Sequence, residues 1–174
     1  MEEEKQKIFE ERARILARRP RGDSVGEGIA VVTFTLGGER FGIESSCIRE
    51  IRPLASCTPI PCTPPFVLGA IHIRRRIVPI IDLEKLLNLP GGASRGPTQV
   101  IVLNGDGMEF GVLAEGDVAS ASIRHADLQP LLPTLTGIRG EFVKGIMPGP
   151  MVVLDGRKLL SSGKIVVHET VPSC

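Results

Sequence analysis

Three sequence blocks of this 174-residue chain occur twice, in the same order, and this internal repeat limits the folds open to it. GGERFGI (37–43) returns as DGMEFGV (106–112), and FVLGAI (66–71) returns as FVKGIM (142–147). VPIIDLEKLL (78–87) returns as MVVLDGRKLL (151–160). Three blocks in one order indicate a duplicated unit. Each copy has only about 70 residues, too few for a large core of its own, so we expect the two copies to pack together.

Short apolar runs between glycines and prolines dominate the chain from residue 29 onward. AVVTFTL (30–36) alternates apolar and polar side chains, and Gly37-Gly38 predicts a tight hairpin turn into ERFGI (39–43). Further runs of strand length stand at 67–73, 77–81, 100–103, 109–113 and 151–154. Many short strands between turns predict small β-barrels. Asp82 and Asp155 precede short helical patterns and are expected to cap them.

The N-terminal 28 residues follow a different pattern. Acidic residues lead and arginines follow, which predicts a helix from about residue 3 to 18 that ends before Pro20 and Gly22. A polar linker then runs to Gly28. The apolar stripe of this amphipathic helix is narrow, which favours a solvated tail helix over one that docks on a partner.

Composition and charge exclude several classes of protein. The formal net charge is +1 and the chain has neither Trp nor Tyr, so nucleic-acid binding is not expected. No apolar run approaches the ~18 residues of a membrane-spanning helix, and the acidic start is unlike a signal peptide, so a cytoplasmic protein without direct membrane insertion is expected. The four cysteines form no CxxC pair, which favours reduced thiols over a metal site.

Catalytic motifs fail one after another. There is no GxSxG and no HExxH. GRKLLSSGK (156–164) has too many residues between its glycines for a phosphate loop, and Ile165 stands where such a loop has Ser or Thr. The three histidines are scattered. We therefore expect no catalytic residues, no metal and no cofactor.

The segment CIREIRPLASCTPIPCTPPFVLGAIHIRRRIVPIIDLEKLLNL (47–89) resembles the CheW family of chemotaxis coupling proteins. Ile48, Glu50 and Ile51 match the first family element, and the later elements are matched by Gly69, Arg74, Pro79, Asp82 and Leu83. With the flanking repeat blocks the similarity defines a domain at 29–171, with units at about 29–97 and 98–168. Two residues depart from the family pattern, His72 in place of Asn and Arg75 in place of Gly.

The resemblance implies a mainly β fold of two SH3-like five-stranded barrels packed around a shared core, with short helices. It implies a non-catalytic adaptor that couples chemoreceptors to a CheA-type histidine kinase. The implied partners are the kinase regulatory domain and the cytoplasmic tip of methyl-accepting chemoreceptors at membrane-associated arrays. The alternative is a small-barrel module that binds nucleic acid or a ligand through the Arg74–Arg76 cluster.

By the same resemblance, the protein-binding residues are Ile48, Glu50, Gly69 and Arg74. Glu50 would pair with a basic side chain of a partner, and Arg74 would offer a planar set of donors. Structural alternatives stand beside these roles. One of Ile48 and Ile51 belongs to the core by alternation, Gly69 fits a close approach of two backbones, and Glu50 and Arg74 could be paired within the chain.

Overall fold

The computed structural model of the chain describes residues 28–90, 98–132 and 138–165. Within these ranges it contains nine strands, three short α-helices and two 3₁₀ helices (Ser45–Cys47 and His125–Asp127). The N-terminal helix expected over 3–18 and its linker lie outside the described residues. The strands are β1 (Gly28–Leu36), β2 (Glu39–Glu44), β3 (Ile48–Pro53), β4 (Val67–Ile73), β5 (Arg76–Ile81), β6 (Thr98–Gly105), β7 (Met108–Arg124), β8 (Val143–Met147) and β9 (Met151–Leu154). The helices are α1 (Leu83–Leu86), α2 (Ile138–Phe142) and α3 (Gly156–Ser161).

The strands form two five-stranded groups that share β7. Barrel A contains the strands in the order β3–β6–β7–β5–β4, and barrel B contains them in the order β7–β1–β2–β9–β8. β7 serves both because it is 17 residues long: its first part pairs with β6 and β5, and its last part pairs with β1. The mainly β architecture with two small barrels, implied by the resemblance, is confirmed.

Strands of both repeat units contribute to both barrels. β2 of the first unit pairs in parallel with β9 of the second, while β7 of the second pairs in parallel with β5 of the first. The register is the same in both pairs, since Gly42 opposes Val153 and Gly111 opposes Ile80 at positions that the repeat makes equivalent. This reciprocal exchange explains why the two short units occur as one body.

The central core draws its side chains from both barrels. Phe34, Phe41, Phe110 and Phe142 are at most 2% exposed, and the rings of Phe34 and Phe41 stack with centroids 6.1 Å apart. Phe41 and Phe110 are the matched phenylalanines of the sequence repeat. A smaller core fills barrel A and consists of Ile71, Ile73, Val78, Ile80, Val100 and Val102. Truncating one of the buried phenylalanines to Ala would cost about 3–5 kcal/mol.

The two predicted helix caps are confirmed. An oxygen of the Asp82 side chain accepts hydrogen bonds from the backbone N–H of Glu84 at 3.0 Å and of Lys85 at 3.3 Å. The Asp155 side chain accepts one from the N–H of Lys158 at 3.0 Å. Each cap satisfies N–H groups that a short helix leaves without a partner.

Candidate protein-interaction surface

An ionic cluster lies at one end of barrel A, where β3, β5 and β7 begin. Arg76 shares the inward face of β5 with the core residues Val78 and Ile80, and Glu50 opposes the core residue Val102. Arg76 donates one Nη hydrogen bond to Glu50 Oε1 at 3.1 Å and another to Glu109. A single guanidinium therefore bridges two carboxylates above the apolar interior of this barrel.

Two further arginines join these carboxylates from β3. Arg49 Nη1 lies 3.5 Å from Glu109 Oε1, and Arg52 Nη1 lies 4.0 Å from Glu50 Oε2. Arg49 and Arg52 are 48% and 40% exposed in their side chains, whereas Glu50 and Glu109 are 23% and 19% exposed. The pKa of Arg76 is raised, first by its hydrogen bond to Glu109 and also by Glu50, while burial opposes the rise.

Arg74 and Arg75 form the turn between β4 and β5, directly before Arg76. Both are exposed, and neither has an ion-pair partner within the described ranges. We call Arg49, Arg52, Arg74, Arg75 and Arg76 the basic rim. With the two carboxylates included, this end of barrel A has a net formal charge of +3.

Arg74 and Arg75 have left-handed backbone conformations, which are unfavourable for arginine. Their φ angles are +44° and +71°, close to those of the hairpin turns at Gly37-Gly38 (+55°, +83°) and Asp106-Gly107 (+51°, +78°). Those turns have Gly at the second position, the residue type that tolerates a left-handed φ. Arg75 stands at the position that Gly38 and Gly107 have in the other two turns, and its backbone is strained there.

Gly69 lies beneath the segment that connects β3 and β4. Its φ is +151°, and a Cβ atom there would stand 2.2 Å from the carbonyl oxygen of Thr58. Ala70 and Thr58 exchange backbone hydrogen bonds beside it. Gly145, its equivalent in the repeat, has the same close approach to Gln129. The close backbone approach expected for Gly69 is therefore present, and the residue is buried.

The two isoleucines of β3 have different surroundings. Ile48 is partly buried against the central core, whereas Ile51 is 40% exposed, which confirms that alternation places one of the two in the core. Glu50 is paired within the chain, but with Arg76 and not with Arg74. Of the four predicted binding residues, Arg74 is the one whose side chain is exposed.

Sequence reasoning missed several members of this surface. Glu109 and Arg49 were not singled out, and Ile77, 67% exposed, was placed in an apolar run without its orientation. Strict alternation along β5, with Val78 and Ile80 inward, would have directed Ile77 outward. No short-range signal links Glu109 to Glu50, because their common partner Arg76 is distant in sequence from both.

We also searched the described part of the chain for metal sites, cavities, reactive thiols and membrane-spanning helices. It holds no group of three or more His, Cys, Asp or Glu side chains that could bind a metal. A cavity of about 120 Å³ between β3 and β4 is lined in part by Arg52, Thr58 and His72. Cys47, Cys57 and Cys62 are free thiols, and burial raises the pKa of the first two. No described helix is long and apolar enough to span a membrane.

Comparison with known families identifies the family to which this domain belongs. The CheW-like domain model matches residues 30–164. The chain belongs to the CheW-like family. Its CheW-like domain therefore covers both barrels, and the role of the chain is that of a chemotaxis coupling adaptor.

Named relatives extend over most of the CheW-like chain. It is 30% identical over 146 residues to the chemotaxis protein CheW of Treponema pallidum (strain Nichols), covering 80% of this chain and 86% of that protein. It is 31% identical over 153 residues to the chemotaxis protein CheW of Klebsiella aerogenes, covering 86% and 91%. The crystal structure of the scaffolding protein TtCheW from Thermoanaerobacter tengcongensis superposes with a TM-score of 0.65 at 26% identity, covering 74% of this chain and 89% of that one.

Proposed function

We propose that this chain binds the regulatory domain of a CheA-type histidine kinase and the cytoplasmic tip of a methyl-accepting chemoreceptor at the same time, without catalysing a reaction. It would do so in the cytoplasm, at membrane-associated receptor arrays. The observation that carries the proposal is the family match over 30–164, which includes both barrels. Simultaneous binding ties the conformational equilibrium of the receptor to that of the kinase through a coupling free energy.

We assign different roles to the four predicted binding residues. Arg74 contacts a partner directly, because its guanidinium is exposed and has no ion pair in the described part of the chain. Glu50 keeps Arg76 at the base of the same surface. Ile48 and Gly69 support the surface without contacting a partner. Ile48 packs against the central core, and Gly69 allows the segment at Thr58 to lie close against β4.

The alternative of a nucleic-acid or ligand-binding barrel that uses Arg74–Arg76 is not favoured by the geometry. Arg76 faces inward and is neutralised by two carboxylates, so the three arginines do not present three free charges. Two exposed guanidiniums on a chain of net charge +1 are few for a phosphate backbone.

The proposal is tested by measuring the affinity of the full chain for the receptor cytoplasmic fragment and for the kinase regulatory domain of the same bacterium. Arg74→Ala is expected to weaken one of the two complexes at least tenfold. Its melting temperature should change little, because an exposed substitution usually alters stability by less than ~0.5 kcal/mol.

Arg40→Ala is the matched control, since Arg40 is an exposed arginine on β2, a strand of barrel B that carries none of the basic-rim residues. It should leave both affinities unchanged. Wild-type affinity for both partners in Arg74→Ala would remove Arg74 from the contact surface. Failure of the wild-type chain to bind either partner would refute the proposed function.

A further inference from the structure

A cavity of about 120 Å³ lies in the gap between β3 and β4, the strands at the two ends of the barrel A order. The segment that connects these strands covers part of the gap, and it pairs with β4 through Thr58 and Ala70. The volume is well above the roughly 10–15 Å³ that a single water molecule needs. It is below the about 300–1,000 Å³ of pockets that hold cofactors and drug-sized molecules. The cavity therefore fits one small group of a few atoms.

The side chains at this cavity are rich in hydrogen-bond donors. Arg52, Ser56, Thr58 and His72 line it, and the other described lining residues are apolar, so none is Asp or Glu. Within the described part of the chain, the two hydroxyl groups and the imidazole make no hydrogen bond. The guanidinium of Arg52 lies 4.0 Å from Glu50 Oε2, which is too far for a hydrogen bond. The fold therefore leaves these donors available to an occupant.

The backbone of β4 adds one more donor. Ala70 opposes Pro79 of β5, which has no N–H, and its own N–H and C=O bond to Thr58 instead. Ala70 and Pro79 are thus a non-hydrogen-bonded pair of the β4–β5 ladder. Because such pairs alternate with hydrogen-bonded ones, His72 and Ile77 form the next pair of the same kind. The N–H of His72 therefore points away from β5, toward the gap between β3 and β4.

These donors determine which occupant is favoured. A guanidinium beside hydroxyl and N–H groups attracts acceptor oxygens that carry negative charge. Phosphate and carboxylate groups have at least two such oxygens, in a spacing that matches the planar fork of Arg52. A cation would find no carboxylate among the described lining residues, and an apolar group would leave the donors without partners.

We propose that this cavity binds one small oxoanion, either inorganic phosphate or the carboxylate of a small organic acid. Arg52 supplies the ion pair, and the hydroxyls of Ser56 and Thr58 and the N–H of His72 supply hydrogen bonds. The occupant contacts β3, β4 and the segment between them. It therefore connects the two ends of barrel A, between which the described residues form no strand pairing. The site is separate from the partner contact assigned to Arg74 and does not depend on it.

NMR titration of the ¹⁵N-labelled full chain tests the site. Sodium phosphate and sodium acetate are added in separate titrations at one pH, and sodium chloride keeps the ionic strength constant. The backbone amide signals of Ser56, Thr58 and His72 are expected to shift and to saturate, with a Kd in the millimolar range. Saturation with both anions identifies a general oxoanion site, and saturation with only one identifies that anion as the occupant.

Variants locate the binding. Arg52→Gln removes the charge at the cavity and is expected to raise the Kd about tenfold, the effect of losing one charge-assisted hydrogen bond. Ser56→Ala removes a neutral donor outside the strands and should raise the Kd about threefold. Arg40→Gln and Arg75→Gln remove exposed arginines that do not line the cavity, so both should keep the wild-type Kd.

Three results would overturn the proposal. The first is a linear response to both anions without saturation. The second is a wild-type Kd in both Arg52→Gln and Ser56→Ala. The third is a set of shifts that is largest at Arg74 and Arg75 and is lost in Arg75→Gln, because the anion would then bind the turn of the basic rim.

Discussion

Arg75→Gly is expected to stabilise this protein, although it removes a charged side chain and adds no contact. Arg75 has a φ of +71° in the β4–β5 turn, where the equivalent positions of two other hairpins, Gly38 and Gly107, have φ of +83° and +78°. A non-glycine residue in this region costs roughly 1–2 kcal/mol because Cβ approaches the following carbonyl oxygen. Glycine removes that cost at the same turn geometry.

The size of the gain follows from two opposing effects. Glycine relieves the 1–2 kcal/mol of strain, and its greater freedom in the unfolded chain offsets about 0.4–1 kcal/mol of this. The net stabilisation is about 1 kcal/mol. For a chain of this length that corresponds to a rise of about 3 °C in melting temperature, or about 0.5 M in the urea midpoint.

The reverse substitution provides the matched comparison. Gly107→Arg puts a side chain at the second position of the Asp106-Gly107 turn, where an added Cβ meets no atom within 4 Å. Its effect is therefore limited to the backbone, and it should destabilise the chain by about 1 kcal/mol. Arg75→Ala keeps a Cβ atom but removes the guanidinium, and it should leave the urea midpoint within about 0.3 M of the wild type.

Urea unfolding followed by circular dichroism, at one pH and one salt concentration, measures all four proteins. Equal stabilisation by Arg75→Ala and Arg75→Gly would refute the argument, because the gain would then come from relieving repulsion among the arginines of the basic rim. An unchanged midpoint in Gly107→Arg would refute it as well, since the left-handed conformation would then carry no cost in this fold.

Two further predictions concern the fold around this surface. Gly69→Ala should destabilise the chain by more than about 2 kcal/mol in urea unfolding, because the added Cβ would overlap the Thr58 backbone. Gly163→Ala, at a position with open space around it, should alter the free energy of unfolding by less than about 0.5 kcal/mol. Equal effects of the two substitutions would contradict the close approach of the Gly69 and Thr58 backbones. Burial, and secondarily Glu115, raises the pKa of Glu84 above its ordinary 4.5, so the ionised form is penalised in the folded state and stability falls as pH rises above 4.5. Glu84→Gln should therefore be more stable than the wild type at pH 7 and equally stable at pH 3; the same difference at both values would exclude ionisation as the cause.

Local sequence signals predicted the parts of this fold that depend on few residues. The hairpin turn at Gly37-Gly38 and the helix caps at Asp82 and Asp155 depend only on the backbone of neighbouring residues. All three predictions were confirmed. Phe41 and Phe110, which the sequence repeat matches to each other, both lie in the central core. Alternation in β1 predicted one apolar face, but Val31 and Thr33 are buried too, because β1 lies between β2 and β7.

Local sequence signals did not predict the lengths of the strands or which strands pair with each other. The last part of β7, residues 114–124, is rich in small and polar side chains, and it is extended because β1 pairs along it. β3 has three charged residues among six, and its strand conformation depends on pairing with β6. The reciprocal parallel pairs between the units leave no trace in local periodicity. Tertiary contacts determine these elements, so a sequence window does not contain the information.

The basic rim is where local preference and the residues present disagree most. Among the described non-glycine residues with positive φ, Asn88 and Asp106 are of types that tolerate this conformation, whereas Arg74, Arg75 and Cys62 are not. Two of these three are adjacent, and they form the exposed tip of the charged end of barrel A. Glycine at position 75 would make the hairpin more stable. A chain with arginine there gains a positive charge and a set of hydrogen-bond donors at an exposed turn, at the cost of stability.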